Sequence, residues 1–224
     1  MNTDHPKQTL DKTQIDKIRK IENYREKNKY VKQGQIVCAG SSLMEMFPIE
    51  KFVRETDSDK IVYNRGIGGF TTEELNNMLD VCVLDLRPSR VFINIGTNDL
   101  SDSRIPMDKI MSNYDEIITR IENEIPNVEI YLMAYYPVNT EAASPEMKEC
   151  LKIRNNIKIN TANAEVKKLA EKHGQRYIDI NSNLKDEQGR LKAEYTIEGM
   201  HINEDGYRAI FETFMEFIRE PSWK

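Results

Sequence analysis

Five short apolar runs alternate with longer segments of helical character along this chain. The runs are QIVCAG (35–40), IVYNRG (61–66), RVFINIG (90–96), VEIYLMAYYPV (128–138) and RYIDI (176–180). Each is rich in β-branched or aromatic residues and is bounded by Gly, Asn, Pro or Asp, as buried strands are. Strands that alternate with helices form βαβ units, whose parallel sheet is covered by helices on both faces. The pattern therefore predicts an α/β fold, a three-layer flavodoxin-like sandwich around a five-stranded parallel sheet.

Four of the intervening segments, at residues 71–86, 106–125, 144–174 and 203–220, are long enough to form helices. The first opens with Thr-Thr-Glu-Glu, a capping-box pattern, and the third ends with His-Gly, which is typical of a helix C-terminus. The sequence contains neither an internal repeat nor a low-complexity linker. We therefore predict a single domain at residues 35–224.

The first 34 residues differ from the rest of the chain in charge. Residues 7–32 carry nine Lys or Arg and four Asp or Glu, while the whole chain has a formal net charge of −5. Four apolar residues recur there at helical spacing: Ile15, Ile18, Ile21 and Tyr24. The pattern predicts a basic amphipathic leader helix within residues 1–34. A basic helix can contact a membrane or nucleic acid, but the acidic remainder would repel phosphate. We therefore expect the helix to pack on the domain with its charges in water.

Composition limits the class of protein and its compartment. Hydrophobic residues make up 39% and charged residues 31% of the chain, which is typical of a globular protein, and we expect no nucleic-acid partner. No apolar run approaches the roughly eighteen residues of a membrane span, and the N-terminus lacks the apolar core of a signal peptide. Cys38, Cys82 and Cys150 are scattered without metal-ligand spacing, which favours a reducing cytoplasm. We expect Cys38 and Cys82 to be small core residues.

Glycine and polar residues follow the first three predicted strands. Ser41 and Ser42 come after the first strand, residues 66–69 after the second and residues 96–99 after the third. Ligands of open α/β sheets bind outside the carboxyl ends of the strands, so we expect these residues at one edge of the sheet. A Gly-Ser-Ser sequence is by itself an ordinary turn. Whether one of its serines is a nucleophile depends on the partners that the rest of the chain supplies.

Acyl transfer requires a nucleophile, a base and donors for the oxyanion, and the strand ends supply candidates for the first and the last. Ser42 is the candidate nucleophile, and it also offers its backbone N–H. Gly69 offers a second N–H that a ligand can approach closely, because glycine has no side chain. Asn98 offers a side-chain amide.

His201 is the candidate base among the three histidines. His5 lies in an expected frayed terminus, and the dipole at a helix C-terminus explains His173. His201 lies in the loop YTIEGMHINEDGY, where no helix or strand period requires a histidine. Glu198 precedes it by three residues, and a glycine between them lets the loop bring the carboxylate to Nδ1, which leaves Nε2 for the serine. The alternative is a solvated histidine beside a solvated glutamate.

Four segments resemble, in order, the first, second, third and fifth sequence blocks of the SGNH hydrolases, the GDSL esterase/lipase superfamily: AGSSLMEM, NRGIGGFTTEEL, INIGTNDL and EGMHINEDGYRAI. The resemblance extends over roughly residues 35–220. It implies a flavodoxin-like fold and ester hydrolysis that requires neither a cofactor nor a metal. It places the catalytic residues at Ser42, His201 and Glu198. It places the oxyanion donors at Ser42, Gly69 and Asn98.

The sequence departs from the family pattern in two places. Ser41 stands where the family usually has Asp, and we expect it to be a turn residue. Glu198 stands where the family has its acid, normally Asp, so Asp205 is an alternative partner for the histidine. The dipole of the last helix already explains an acidic residue at Asp205. The Gly-x-Ser-x-Gly elbow of the α/β-hydrolases is absent, with Met44 in place of its second glycine.

The resemblance implies a serine esterase with a small-molecule ester as its substrate. The absence of an evident lid favours short acyl groups, such as acetyl esters of carbohydrates. Candidate pocket walls, which more often prove to be core, are Met44, Met46, Phe47, Phe70, Tyr135 and Tyr136.

Two alternatives to an active esterase stay open. One is a module that binds phosphate or carboxylate at the strand ends, and the other is a catalytically inactive SGNH domain that binds a ligand. The sequence leaves the substrate-binding residues unknown. It also leaves the oligomeric state open, a homo-oligomer included.

Overall fold

The fold is a five-stranded parallel sheet between two layers of helices. The computed structural model describes residues 11–224, so His5 and the start of the predicted leader lie outside the described residues. The strands are β1 (Ile36–Gly40), β2 (Val62–Gly66), β3 (Arg90–Asn94), β4 (Glu129–Met133) and β5 (Arg176–Ile178). Their order is β2-β1-β3-β4-β5, and every neighbouring pair is parallel. The predicted α/β fold with its five-stranded parallel sheet is confirmed.

Helices connect the strands and complete both layers. In residues 11–224 the helices are α1 (Lys12–Asn28), α2 (Ser42–Glu45), α3 (Ile49–Arg54), α4 (Thr72–Asn77), α5 (Leu79–Cys82), α6 (Thr97–Leu100), α7 (Met107–Glu124), α8 (Pro145–Ile153), α9 (Asn156–Lys172) and α10 (Glu204–Arg219). Asp11, Ser144 and Asn203 begin α1, α8 and α10 as N-caps, and each side chain accepts from the backbone N–H three residues ahead. None of the helices described in this range is both long and apolar enough to traverse a bilayer.

Alternate residues of each strand point to opposite faces of the sheet, and each face has its own core. Val37 and Val91 belong to the core beneath α4, α5, α7 and α9. Cys38 and Phe92 belong to the core beneath α2, α3 and α10. Cys38 and Cys82 are both buried, so their prediction as core residues is confirmed.

Two of the predicted helices are each divided in two. Residues 71–86 form α4 and α5 and end in a 3₁₀ turn, and residues 144–174 form α8 and α9. The second division falls at Arg154, whose side chain is buried, and at Asn155, whose side chain caps α9 by accepting from Lys158 N–H. Asn is favoured at N-caps, so the adjacent asparagines at the start of α9 were the available signal.

Helix α1 packs on the domain without a fully buried residue. Ile21 and Tyr24 are half-buried against the core, whereas Ile15 and Ile18 are exposed. Side-chain hydrogen bonds hold the helix in place, such as the one that Asn28 Nδ2 donates to the carbonyl of Val81 at 2.8 Å. The leader helix therefore depends on polar contacts more than its apolar pattern predicts.

Breaking a buried ion pair at the amino-terminal edge of the sheet is expected to destabilise the protein. Arg90 and Glu129 begin β3 and β4, lie 2.5 Å apart and are both buried. Arg90 also donates to the backbone carbonyls of Phe217, Ile218 and Glu220. The substitution Arg90→Met leaves Glu129 buried without its cation, so we expect the free energy of unfolding to fall by about 3–5 kcal/mol in urea titrations.

The control Arg104→Met removes an exposed ion pair with Asp102 and should change the midpoint of the urea titration little. Equal losses in both variants would contradict the prediction.

Candidate active site

The carboxyl ends of β1 and β3 lie side by side near the centre of the sheet, and the chain leaves them toward opposite edges. Open α/β sheets bind ligands at such a switch point. Ser42 begins α2 directly after β1, and Ser41 is the N-cap of that helix. Ser41 is fully buried, and its Oγ has no partner within residues 11–224. Ser41 therefore occupies the turn, and Ser42 is the serine with a hydrogen-bonding partner.

Ser42, His201 and Glu198 form a continuous series of hydrogen bonds. Ser42 Oγ lies 3.0 Å from His201 Nε2, although the two residues are 159 positions apart. His201 Nδ1 lies 2.5 Å from Glu198 Oε1. Because a carboxylate only accepts, it holds the imidazole proton on Nδ1 and leaves Nε2 to accept from the hydroxyl. A serine nucleophile needs this arrangement of a base at its hydroxyl and an acid that orients the base.

The carboxylate beside His201 belongs to Glu198, while Asp205 lies exposed in the first turn of α10. Both carboxylate oxygens of Glu198 also lie near the backbone N–H of His201, at 3.3 and 3.4 Å. The additional methylene of Glu relative to Asp gives the side chain the length to reach back to the ring and the amide together.

The loop that carries His201 is held by the segment after β4. Gly199 has a φ of +98°, and a Cβ there would lie 2.6 Å from the carbonyl oxygen of Asn139 and 2.7 Å from Ala143. Asn139 N–H donates to the carbonyl of Gly199 at 2.7 Å, and Ser144 N–H donates to the carbonyl of Glu198 at 3.3 Å. Only glycine fits this left-handed and crowded position, which the loop requires to place both side chains on one side.

A turn rich in glycine, residues 66–69, adjoins Ser42 and is called the glycine turn below. A Cβ built on Gly68 would lie 3.8 Å from Ser42 Cβ. Gly69 has a φ of +77°, a conformation that glycine adopts without strain. Within residues 11–224, the backbone N–H groups of Ser42 and Gly69 donate to no protein acceptor. Both N–H groups are therefore free to donate to a ligand.

The turn after β3 is tied to the segment that follows the glycine turn. Asn98 donates one hydrogen of Nδ2 to the carbonyl of Phe70 at 2.9 Å, which leaves its second amide hydrogen for another acceptor. The neighbouring Asp99 is buried and accepts from the backbone N–H and the hydroxyl of Thr72. Burial raises the pKa of Asp99 above its usual 3.8, although the hydrogen bonds from Thr72 oppose that shift. These contacts fix Asn98 relative to Gly69.

Arg154 is a buried cation beside the candidate site. Its position there was not indicated by the sequence. The residue is 2% exposed, and its Nη1 donates to the carbonyl of Thr97 at 2.9 Å. Burial lowers the pKa of the guanidinium to about 10, while Cys150 and Glu198 partly oppose that change. Arg154 is thus still charged near neutral pH, beside the turn that carries Asn98 and within the electrostatic reach of Glu198. In a segment of helical pattern an arginine is expected at the surface, so only the fold reveals its position.

Most of the apolar residues that the sequence offered as pocket walls belong to the core instead. Each of the following is at most 2% exposed: Met44, Phe47, Phe70, Tyr135 and Tyr136. Met46 is 40% exposed, directly after the helix that carries Ser42. Of the six candidates, Met46 alone is exposed enough to contact a ligand.

His173 forms hydrogen bonds that join two helices. Its Nδ1 lies 2.8 Å from Glu122 and its Nε2 lies 2.8 Å from Asp115, so the ring connects the end of α9 to α7. Within the described part of the chain, no group of three or more His, Cys, Asp or Glu side chains is arranged to hold a metal ion.

Residues 49–209, more than half of the chain, match the GDSL-like Lipase/Acylhydrolase family. The matched segment contains Gly69, Asn98, Glu198 and His201 and starts shortly after Ser42. The fold and this match together place the chain in the SGNH hydrolase superfamily. The chain belongs to the GDSL-like Lipase/Acylhydrolase family.

Two curated relatives align over most of the chain. The chain is 24% identical over 215 residues to the N-acylneuraminate cytidylyltransferase of Escherichia coli O18:K1:H7, an alignment that covers 95% of this chain and 47% of that protein. The chain thus spans about half the length of that relative. It is 21% identical over 190 residues to the platelet-activating factor acetylhydrolase IB subunit alpha2 of Rattus norvegicus, with 84% of this chain and 78% of the relative covered.

Solved structures share the fold across almost their whole length. A platelet activating factor protein from Streptococcus pneumoniae superposes with a TM-score of 0.81 at 29% identity, covering 91% of this chain and 93% of that one. A GDSL-like lipase of Bacteroides thetaiotaomicron gives a TM-score of 0.73 at 21% identity, with 88% and 96% covered. An acetylxylan esterase of Geobacillus stearothermophilus gives 0.65 at 15% identity, with 88% and 99% covered.

Proposed function

We propose that this protein is a serine esterase that hydrolyses small, short-chain acyl esters through an acyl-serine intermediate. The observation that carries the proposal is the hydrogen-bonded series from Ser42 Oγ to His201 Nε2, at 3.0 Å, and from His201 Nδ1 to Glu198, at 2.5 Å. A hydroxyl is a weak nucleophile at neutral pH, and it becomes competent only where a neighbouring base accepts its proton.

Acylation begins when Ser42 Oγ attacks the carbonyl carbon of the ester and transfers its proton to His201 Nε2. Glu198 stabilises the imidazolium that forms. The carbonyl oxygen becomes an oxyanion, which accepts from the N–H groups of Ser42 and Gly69 and from the free amide hydrogen of Asn98. The tetrahedral intermediate then collapses, the bond to the alcohol oxygen breaks, and His201 protonates the departing alcohol.

Deacylation uses the same groups in the reverse direction. A water molecule gives a proton to His201 Nε2 as its oxygen attacks the acyl-serine carbonyl, and the same donors stabilise the second oxyanion. The bond between the acyl carbon and Ser42 Oγ breaks, and His201 returns the proton to Oγ. Every step is acid–base and acyl-transfer chemistry of these side chains, so the proposed mechanism requires no cofactor or metal.

The proposed substrates carry short acyl groups, with acetyl esters of carbohydrates as the first class to test. Met44 and Phe47, which could have lined a pocket for a long acyl chain, are buried in the core instead. The names of two similar proteins, an acetylhydrolase and an acetylxylan esterase, agree with this choice.

We further propose a single hydrolase domain at residues 35–224, preceded by the basic leader at residues 1–34. We place the protein in a reducing cytoplasm because its cysteines are few and scattered. The proposal includes no nucleic-acid partner, and a homo-oligomer is compatible with it.

Hydrolysis of p-nitrophenyl acetate, butyrate and octanoate tests the substrate class. We expect kcat/KM to fall along the series, with the acetate at least about tenfold above the octanoate, because each unaccommodated methylene group weakens binding in the transition state. Acetylated xylo-oligosaccharides then test the carbohydrate class. An octanoate preference would contradict the short-acyl proposal and leave the ester hydrolase assignment intact.

Labelling with a fluorophosphonate separates an active esterase from a catalytically inactive domain that binds a ligand. We expect a covalent adduct on Ser42, located by mass spectrometry of the peptide that contains it. An unmodified serine in folded protein would favour the inactive alternative.

A further inference from the structure

Helix α1 lies against the glycine turn, although it precedes the segment that matches the family. Tyr24 Oη donates to the carbonyl of Gly66 at 2.8 Å. A Cβ built on Gly68 would lie 3.7 Å from Lys20 Nζ and 3.8 Å from Ser42 Cβ. Gly68 therefore lies between Lys20 of the leader helix and Ser42.

Lys17 of α1 contacts the residue proposed as an oxyanion donor. Its Nζ donates to the carbonyl of Gly69 at 2.9 Å and pairs with Glu74 at 2.6 Å. The side chain of Lys17 is only 16% exposed, so its charge lies between two acceptors instead of in water. Glu74 is itself fixed, because it forms the capping box of α4 with Thr71. Lys17 thus links the carbonyl of Gly69 to a rigid helix end.

Lys20 supports the same turn through a second carboxylate. It pairs with Glu45 of α2 at 2.7 Å, and Glu45 accepts from the backbone N–H of Gly68 at 2.6 Å. Asp16, one turn earlier in α1, holds Lys20 at 2.7 Å. The carboxylate that binds the glycine turn therefore belongs to the short helix that also carries Ser42.

The Phe70 N–H closes the turn by donating to the carbonyl of Ile67 at 3.1 Å, and the contacts from α1 and α2 add external restraints. Glycine populates several regions of backbone conformation, so the direction of the Gly69 N–H is set only weakly by its own residue. A donor stabilises an oxyanion well only when its direction is fixed before the charge develops. The restraints on the carbonyls of Gly66 and Gly69 and on the N–H of Gly68 leave the Gly69 N–H as the free donor.

We propose that Lys17 is a positioning residue for the oxyanion site, and that Tyr24 and Lys20 assist it. These three side chains of α1 then help to fix the direction of the Gly69 N–H without touching the substrate. This inference rests on the proposed esterase function.

The substitution Lys17→Met tests the role, because methionine keeps most of the apolar stem and removes the ammonium group. We expect kcat for p-nitrophenyl acetate to fall about tenfold or more, with KM changed by less than about threefold, since the contact acts on transition-state stabilisation. The matched control is Lys27→Met, which removes an exposed lysine from the same helix and should leave kcat unchanged. The variant Lys17→Arg, which retains a cationic donor, should recover most of the activity.

Three results would overturn the positioning role while the wild-type enzyme remains active. One is an equal kcat in Lys17→Met and Lys27→Met, and another is a loss in Lys17→Met that Lys17→Arg does not recover. Where Lys17→Met fails to fold, Tyr24→Phe replaces it as the test, because that change removes only the hydroxyl bound to Gly66. The third contradicting result is then a kcat of Tyr24→Phe equal to that of the wild type. A wild-type protein that neither hydrolyses esters nor reacts with a fluorophosphonate would instead refute the proposed function.

Discussion

Replacing Ser42 with alanine is expected to lower kcat for p-nitrophenyl acetate by about 10⁴-fold or more, because the acyl-enzyme can no longer form. Residual turnover would come from the oxyanion donors and from binding. The thermal midpoint should change little, since the only described partner of the hydroxyl is the half-buried His201. Stopped-flow and steady-state kinetics on purified protein measure the loss.

The neighbouring serine supplies a matched control for that experiment. Ser41→Ala removes a buried hydroxyl with no partner among residues 11–224, so we expect kcat within about threefold of wild type. A comparable loss in both variants would show that removal of either hydroxyl disturbs the turn, and the loss in Ser42→Ala would then not identify the nucleophile. Activity that survives in Ser42→Ala would exclude Ser42 as the nucleophile.

The strands were predictable because each is a compact apolar run. The three central strands β1, β3 and β4 are buried throughout, and the edge strands β2 and β5 are partly buried. The predicted run at 90–96 and the observed β3 differ by only two residues at the end. The predictions of the helices were less accurate, since helical periodicity does not show where a helix is interrupted. Residues 144–174 appear continuous in sequence, yet the chain turns at Arg154 so that the guanidinium can reach Thr97.

The candidate site was predictable to the extent that its residues lie in short motifs after the strands. Ser42, Gly69, Asn98 and His201 each lie close to the end of a regular element, where neither strand nor helix periodicity explains the residue type. Lys17 had no such signal, because a lysine on a basic helix normally lies in water. Its role depends on a contact across 52 residues, which only the fold provides.

The choice of Glu198 as the acid leads to the last prediction. Glu198→Gln is expected to lower kcat by about 10³- to 10⁴-fold, because a neutral amide neither holds the proton on His201 Nδ1 nor stabilises the imidazolium. KM should change far less, since the carboxylate does not face the substrate in the proposed mechanism. The expected pH profile loses amplitude across the whole range in which the wild type is active.

Two further variants identify the acid without ambiguity. Asp205→Asn should keep wild-type kcat, because Asp205 is exposed in the first turn of α10 while Glu198 lies 2.5 Å from the imidazole. Glu198→Asp installs the acid that the family normally has, but its shorter side chain cannot span this loop to the imidazole and the His201 amide together. We therefore expect the kcat of Glu198→Asp to lie between those of the wild type and Glu198→Gln.

A large loss of kcat in Asp205→Asn with an active Glu198→Gln would reverse the assignment of the acid. Wild-type kcat in Glu198→Asp would show that loop geometry, and not side-chain length, sets the contact with His201.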